Sequence, residues 1–453
     1  MLRKSAIWLL QVLVIIILFP NCRSDKKNEY RLITVKGNAS MQNWSRSMLS
    51  AAFNSDSGHM NTMPAKNGDI LYLRAESIEI FTKCKEDFPD TFLLREKDTL
   101  LYLNEKLFGL LIDSSRDMIP WFRQMSLTEM KELQSITFSS FIPDSYLKYL
   151  DTIAKVNPEI DLFIYNNEEF ANSNNLHWIS QRFRPEFLHV SVSNQEIGML
   201  KNFTNVKILS IEMTDSINPE VIPALPGVSE LTLMLSEKIK VLTPDFFKLN
   251  PQLTSLSIYS NLDITKINWN SLQKLESLRL YTIDTLIKFP KSDFFPRLKT
   301  LLVSGNTDLP FENLLGLHHL KELGIPTSVP QDVFNEVIRN QPELEYLQLT
   351  GSDTVLINDY SILERLKKLR FLIITGQSGQ VNTIHPLKGL KFLSLPKEFF
   401  EDSLKVAALK KALPDTVISP NQGFCMGSGW LILLIPVIAL GLFISRKFIP
   451  KAG

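Results

Sequence analysis

NPQLTSLSIYSNLDI, residues 250–264, holds Leu253, Leu256 and Ile258 in a φ-x-x-φ-x-φ spacing, where φ is apolar, with Asn261 three residues further on. One buried strand would give that spacing, and so would one copy of a repeat. The rest of the chain decides between them. The unit recurs as VKILSI from Val206, VSELTL from Val228, LESLRL from Leu275, LKTLLV from Leu298, LKELGI from Leu320, LEYLQL from Leu344, LRFLII from Leu369 and LKFLSL from Leu390. Successive starts are 22, 25, 22, 23, 22, 24, 25 and 21 residues apart. Unrelated apolar runs would not keep so narrow a period, so the opening stretch is one copy of an array. Looser copies extend it backwards: FLHVSV from Phe187, IDLFIY from Ile160 and LQSITF from Leu133. That makes about twelve repeats, the first three degenerate.

A period of 20–29 residues with L-x-x-L-x-L-x-x-N resembles the leucine-rich repeat family. The asparagine position holds Thr214, Ser236, Asn261, Ile283, Asn306, Ser328, Ser352 and Gln377, mostly side chains able to bond the backbone of a turn. The resemblance implies an α/β solenoid: a curved parallel sheet of repeat strands, with partners taken on its concave face. One unit cannot bury its apolar face alone, whereas stacked units share a continuous core. Twelve strands make a sheet about 55 Å long at ~4.8 Å per strand. Residues 330–341 and 359–369 carry helix-spaced apolar residues in their return segments, while 288–296 is too proline-rich for a full helix. An amphipathic helix over 401–413 and a last strand over 415–419 are expected to close the array.

Strand periodicity also sorts the side chains by face. The third and fifth positions of each unit point away from the core, and the seventh continues the row. The third-position column is read as His189, Ile208, Glu230, Ser255, Ser277, Thr300, Glu322, Tyr346, Phe371 and Phe392. The fifth runs through Ser191, Ser210, Thr232, Ser257, Arg279, Leu302, Gly324, Gln348, Ile373 and Ser394. Tyr259, Tyr281 and Thr350 stand at the seventh. Tyr and Arg are enriched at binding hot spots, so Tyr259, Arg279 and Tyr281, beside the small Ser257, form the first candidate ligand-binding group. Tyr346 and Gln348 form a second. Tyr346, Phe371 and Phe392 also make an aromatic row that reads best as lateral stacking or as a surface under the C-terminal cap.

The two ends read differently. MLRKSAIWLLQVLVIIILFPNC opens with Arg3 and Lys4, followed by an apolar run from Ala6 to Phe19. That run reaches only ~21 Å as a helix, short of a bilayer core of about 30 Å, so residues 1–21 read as a signal sequence. Cys22 follows directly and resembles a bacterial lipobox cysteine, which is acylated. Phe19-Pro20-Asn21 departs from that pattern, and ordinary cleavage or an uncleaved anchor are the alternatives. Residues 426–445 carry no charge and span ~30 Å as a helix, with Trp430 at one interface and Arg446, Lys447 and Lys451 beyond the other. This is expected to be a transmembrane helix with a basic cytoplasmic tail, 446–453. Leu413-Pro414-Asp415-Thr416 resembles a sortase motif, but Val417 replaces its glycine; Cys425 abuts the helix and is the better place for processing. A retained anchor is the reading taken.

Residues 22–115 are expected to be a β-rich capping region, with strands at 31–35, 69–81 and 92–107, ahead of a solenoid over 116–419. The 453 residues carry a net charge of +1, which gives no reason to expect nucleic acid. Cys22, Cys84 and Cys425 lie far apart, against a disulfide framework or a multi-cysteine metal site. His318 and His319 are adjacent and read as a solvated pair. No GxSxG, Walker A or dinucleotide loop is present, so no enzyme, cofactor or metal is expected. Asn38, Asn43 and Asn202 begin glycosylation sequons that matter only in a eukaryotic secretory route. The expectation is therefore a membrane-anchored interaction protein of the bacterial envelope. Its concave face would bind a protein or glycan outside the cytoplasm. The alternative is an envelope scaffold with no specific ligand on that face.

Overall fold

The computed structural model describes residues 29–34, 61–64, 70–74, 91–97, 100–103, 106–112, 117–138, 141–165, 175–192, 197–213, 222–236, 244–260, 264, 267–281, 290–304, 312–350, 357–375, 384, 387 and 389–420. The signal sequence, Cys22, Cys84, Cys425, the 426–445 stretch, the basic tail and most of the asparagine column lie outside these residues. Among the described residues no helix is long and apolar enough to cross a membrane.

Among the described residues the repeats form thirteen parallel strands, β7 to β19. Each pairs in register with the next: β7 (Ser135–Phe138), β8 (Asp161–Ile164), β9 (Phe187–Val192), β10 (Ile208–Met213), β11 (Glu230–Leu235), β12 (Ser255–Tyr259), β13 (Ser277–Tyr281), β14 (Thr300–Ser304), β15 (Glu322–Pro326), β16 (Tyr346–Thr350), β17 (Phe371–Ile374), β18 (Phe392–Leu395) and β19 (Val417–Pro420). Upstream, β1 (Glu29–Thr34), β2 (Asn61–Pro64), β3 (Ile70–Arg74), β4 (Thr91–Lys97), β5 (Leu100–Leu103) and β6 (Lys106–Ile112) pair antiparallel with one another. β6 then pairs parallel with β7, which joins the upstream strands to the solenoid sheet.

The first, fourth and sixth positions of the repeats carry the core. Leu253, Leu256 and Ile258 are buried, as are Leu275, Leu278 and Leu280 in the next copy and Leu344, Leu347 and Leu349 further on. Many of the helices and turns on the far face pack on the next one along, and the buried residues form one continuous core between sheet and return segments. The described return segments include α1 (Ile119–Gln124), α2 (Leu127–Glu132), α3 (Asp144–Val156), α4 (Asn175–Arg182), α5 (Pro244–Lys248), α6 (Glu312–Leu315), α7 (Gln331–Arg339) and α8 (Ser403–Ala412), with short 3-10 turns elsewhere.

Local chemistry places these pieces. Ser126 and Glu129 form a reciprocal capping box on α2, with Ser126 N donating to Glu129 Oε2 at 2.7 Å. That bond holds the Glu129 carboxyl below its ordinary pKa. Asp402 caps α8, accepting from the Leu404 and Lys405 amides at 3.1 Å each. The amides of Glu276 and Ser277 both donate to the Thr254 carbonyl, and those of Lys299 and Thr300 to the Glu276 carbonyl. This pattern repeats along the array and fixes the register from one repeat to the next.

Two sequence expectations need correction. Residues 359–369 do not form an α-helix: only Ser361–Arg365 turns, as 3-10, with Asp359 accepting from the Ser361 amide at 2.8 Å. Bringing Tyr360, Leu363 and Leu366 into the core uses up the segment in less than a helix of standard length. The helix over 401–413 does form, as α8, but it buries only Leu409 and leaves Leu404 81% exposed, so it is far less amphipathic than expected.

Candidate functional site on the open sheet face

The face of the sheet turned away from the return segments is read from the register. Its third column runs Ser135, Asp161, Phe187, Ile208, Glu230, Ser255, Ser277, Thr300, Glu322, Tyr346, Phe371 and Phe392. His189 pairs with Ser210 and so stands in the fifth column, and Ser191 pairs with Glu212 and stands in the seventh. The expected placement of these two residues was two positions out. The copy that seemed to begin at Ile160 is one position out, because Asp161 aligns with Ser135. Phe163 and Phe187 are apolar yet point outward, which is what misleads a pattern search there.

Exposure along this face is uneven. On the N-terminal flank, rings fill the columns: Phe163 lies 4.9 Å from Phe187 and 6.0 Å from His189, and Tyr165 lies 5.0 Å from His189. His189 is buried, and its Nδ1 shares a 3.0 Å hydrogen bond with Ser210 Oγ. Burial lowers its pKa to about 4, so it is neutral at physiological pH. On the C-terminal flank Tyr346 is 3% exposed, and Phe371, Ile373 and Phe392 are equally closed off. The expected aromatic row is therefore a packed one. Tyr346 donates from its hydroxyl to Gln348 Oε1 at 2.8 Å, a bond made within one strand.

Between the flanks the face opens from β10 to β13, where Ile208 and Glu212 are half-buried, and Glu322 and Gln348 beyond it are half-buried too. Glu230, Thr232, Met234, Ser255 and Ser277 are half-buried, and Tyr259 is 38% exposed. Tyr259 and Tyr281, paired across β12 and β13, stack with centroids 4.3 Å apart and planes within 7°. Arg279, half-buried, precedes Tyr281 by two residues on the same face and pairs in register with the buried Ser257. The structure thus brings together Tyr259, Arg279, Tyr281 and Ser257. Tyr346 and Gln348 lie on β16, with β14 and β15 between, and do not join that group.

The electrostatics of the opening are balanced against burial. Burial raises the Tyr259 hydroxyl, Tyr281 adds to the rise, and Arg279 opposes it. Tyr259 is itself part-exposed, so solvent screens some of that effect. Burial also raises Tyr281 and Glu322, and in both Arg279 pulls the other way. A hydrogen bond from Thr300 and the charge of Lys321 further favour the Glu322 carboxylate, while Glu345 disfavours it. Arg279 is thus the shared cation of two phenols and a carboxylate. Glu322 was visible in sequence as a charge in an outward column, but its coupling to Arg279 two strands away was not. His318 and His319 are both exposed. Among the described residues no three His, Cys, Asp or Glu side chains gather as a metal site.

No family model matches the chain, and no curated protein matches it. Solved structures do show likeness. One is a TLR13–ssRNA13 complex, at 16% identity and TM-score 0.38, covering 64% of this chain and 43% of that one. Another is an internalin (inlF) of Listeria monocytogenes, at 16% and 0.37, covering 66% and 92%. A third is the leucine-rich repeat-containing protein LegL7 of Legionella pneumophila, at 14% and 0.31, covering 58% and 90%. The chain therefore spans less than half the length of the first of these.

Proposed function

We propose that this chain is a membrane-anchored interaction protein whose open sheet face binds a protein or glycan partner outside the cytoplasm. The observation that carries the reading is the stacked Tyr259–Tyr281 pair with Arg279 beside it, where Tyr259, at 38%, is the exposed large apolar ring on this face among the described residues. A stacked pair offers a flat apolar plate at small entropic cost, and an arginine next to it adds a directional cation. A flat ring pair with a neighbouring guanidinium suits recognition of a partner surface. Residues 426–445 would hold the solenoid at a membrane, with Cys22 as a second, acylated attachment.

The test is binding by the full chain in detergent to glycan arrays, isolated cell-wall material and crosslinked envelope extract. Arg279→Ala and Tyr281→Ala are run beside the parent, with circular dichroism as a check on folding. Loss of at least tenfold in affinity for the same ligand, with the fold intact, supports the site. Unchanged affinity in both variants removes it. The scaffold alternative gains support from the burial of both flanks, which makes most of this face a stabilising layer. If it is correct, deleting residues 426–453 changes the phenotype of a cell more than either face variant does.

A further inference from the structure

The last return segment carries a surface that the open-face reading does not use. α8 caps the end of the solenoid, between β18 and the last strand β19. Its inward side is thin, with Leu409 alone fully buried. Its outward side presents Leu404, 81% exposed, and the exposed Ala407, Ala408 and Lys411 at helix spacing, flanked by the exposed Lys405 and Lys410. Lys410 and Lys411 in the last turn suit the helix dipole, and that alone would account for them. It does not account for Leu404, the most exposed large apolar side chain among the described residues.

Two further facts point to an occupant. Residues 361–413 hold ten Lys and Arg against four Asp and Glu, in a chain whose net charge is only +1. The cationic surplus is therefore gathered in the final repeats. β19 ends at Pro420, and only residues 421–425 separate it from the uncharged 426–445 stretch. Five residues reach at most ~17 Å, and a helix packed behind a sheet sits about 10 Å from it, so α8 is held beside whatever surface that stretch enters.

We infer that the outward face of α8 rests on an anionic lipid bilayer, with Leu404 in the headgroup boundary and Lys410 and Lys411 on the phosphates, Lys405 being paired with Asp402 at 3.3 Å. This rests on the reading that 426–445 spans the membrane. It turns a tether into a two-point attachment that sets the tilt of the solenoid, and with it the direction in which Tyr259 and Arg279 face.

The experiment is lysine acetylation footprinting by mass spectrometry on the full chain in nanodiscs. Phosphatidylglycerol-rich bilayers are compared with all-phosphatidylcholine ones, and Lys155, 75% exposed on α3, serves as reference. Lys410 and Lys411 are expected to react about fivefold more slowly in the anionic bilayer, with Lys155 unchanged. Leu404→Asp, at an exposed position that leaves the core intact, should restore most of the rate. Equal rates in the two bilayers overturn the inference, and so does slowing that Leu404→Asp leaves untouched, since that reports general attraction without a seated helix. Co-elution of chain and nanodisc reports the membrane anchor separately. A chain that elutes free of the disc ends both readings, whereas co-elution with equal rates ends only this one.

Discussion

At the scale of single residues, two positions on the open face carry measurable consequences. His189 is buried and neutral, with its pKa lowered to about 4 by desolvation against an ordinary 6.5. Because the folded value lies below the unfolded one, the unfolded chain binds the extra proton first as pH falls. The stability this group contributes is complete above pH ~6.5 and is lost between there and about 4. From His189 alone the N-terminal flank should be roughly 2 kcal/mol less stable at pH 5 than at pH 7.5. His189→Phe should flatten that slope of urea midpoint against pH; an unchanged slope would place the titration elsewhere. Gly324 is the second position. A Cβ there would lie 2.8 Å from Leu302 Cδ2 and 3.3 Å from Leu302 Cα, so the glycine exists to let Leu302 lie across β15. Gly324→Ala is expected to cost about 1–3 kcal/mol by overpacking. Combined with Leu302→Ala, the total should fall short of the sum of the two single changes.

At the scale of elements, the joints between repeats are held by buried amides. Asn250 is 1% exposed; its Oδ1 accepts from the Leu225 amide at 2.8 Å and its Nδ2 donates to the Phe246 carbonyl at 2.9 Å. Gln341 does the same between the Leu320 amide and the Leu317 carbonyl. Asn157, half-buried, makes a looser version of the joint, donating to the Leu133 carbonyl at 2.6 Å. The likeness of Asn157-Pro158-Glu159 to Asn250-Pro251-Gln252 was visible in the sequence, and Gln341-Pro342-Glu343 is a third copy that it did not advertise. Removing such a side chain leaves a buried backbone donor unpaired. Asn250→Ala should therefore cost about 2–3 kcal/mol, against under about 1 kcal/mol for Asn205→Ala, whose bond to the Arg184 carbonyl is exposed. Urea titration of both variants distinguishes the two environments, and equal losses would deny the joint its role. The return segments themselves were less legible. A pattern of apolar residues spaced for a helix was met by α7 over Gln331–Arg339 and by only a 3-10 turn at Ser361–Arg365, because core filling, not propensity, sets the length of each return.

For the whole molecule, the anchors proposed at its two ends can be tested together. A retained span with an acylated Cys22 predicts an intact mass that begins at that cysteine with a diacylglycerol group and ends at Gly453. A mass that ends near Cys425 would mean removal of the span, and would move the search for partners to the cell exterior. Mass spectrometry of the detergent-extracted protein separates the two directly.

The repeat period, the inward leucine columns and the order of the strands were decided by the sequence itself. One unit of about 22 residues makes one strand and one return, and its apolar face has nowhere to go but onto the next unit. What the tertiary structure alone decided is which outward side chains reach solvent. Tyr259 and Tyr346 look alike in the sequence, each an aromatic at an outward position, yet one is 38% exposed and the other 3%. Their lateral neighbours are a full repeat away along the chain, so the size of those neighbours, and hence the exposure of Tyr259, is set only when the strands lie side by side.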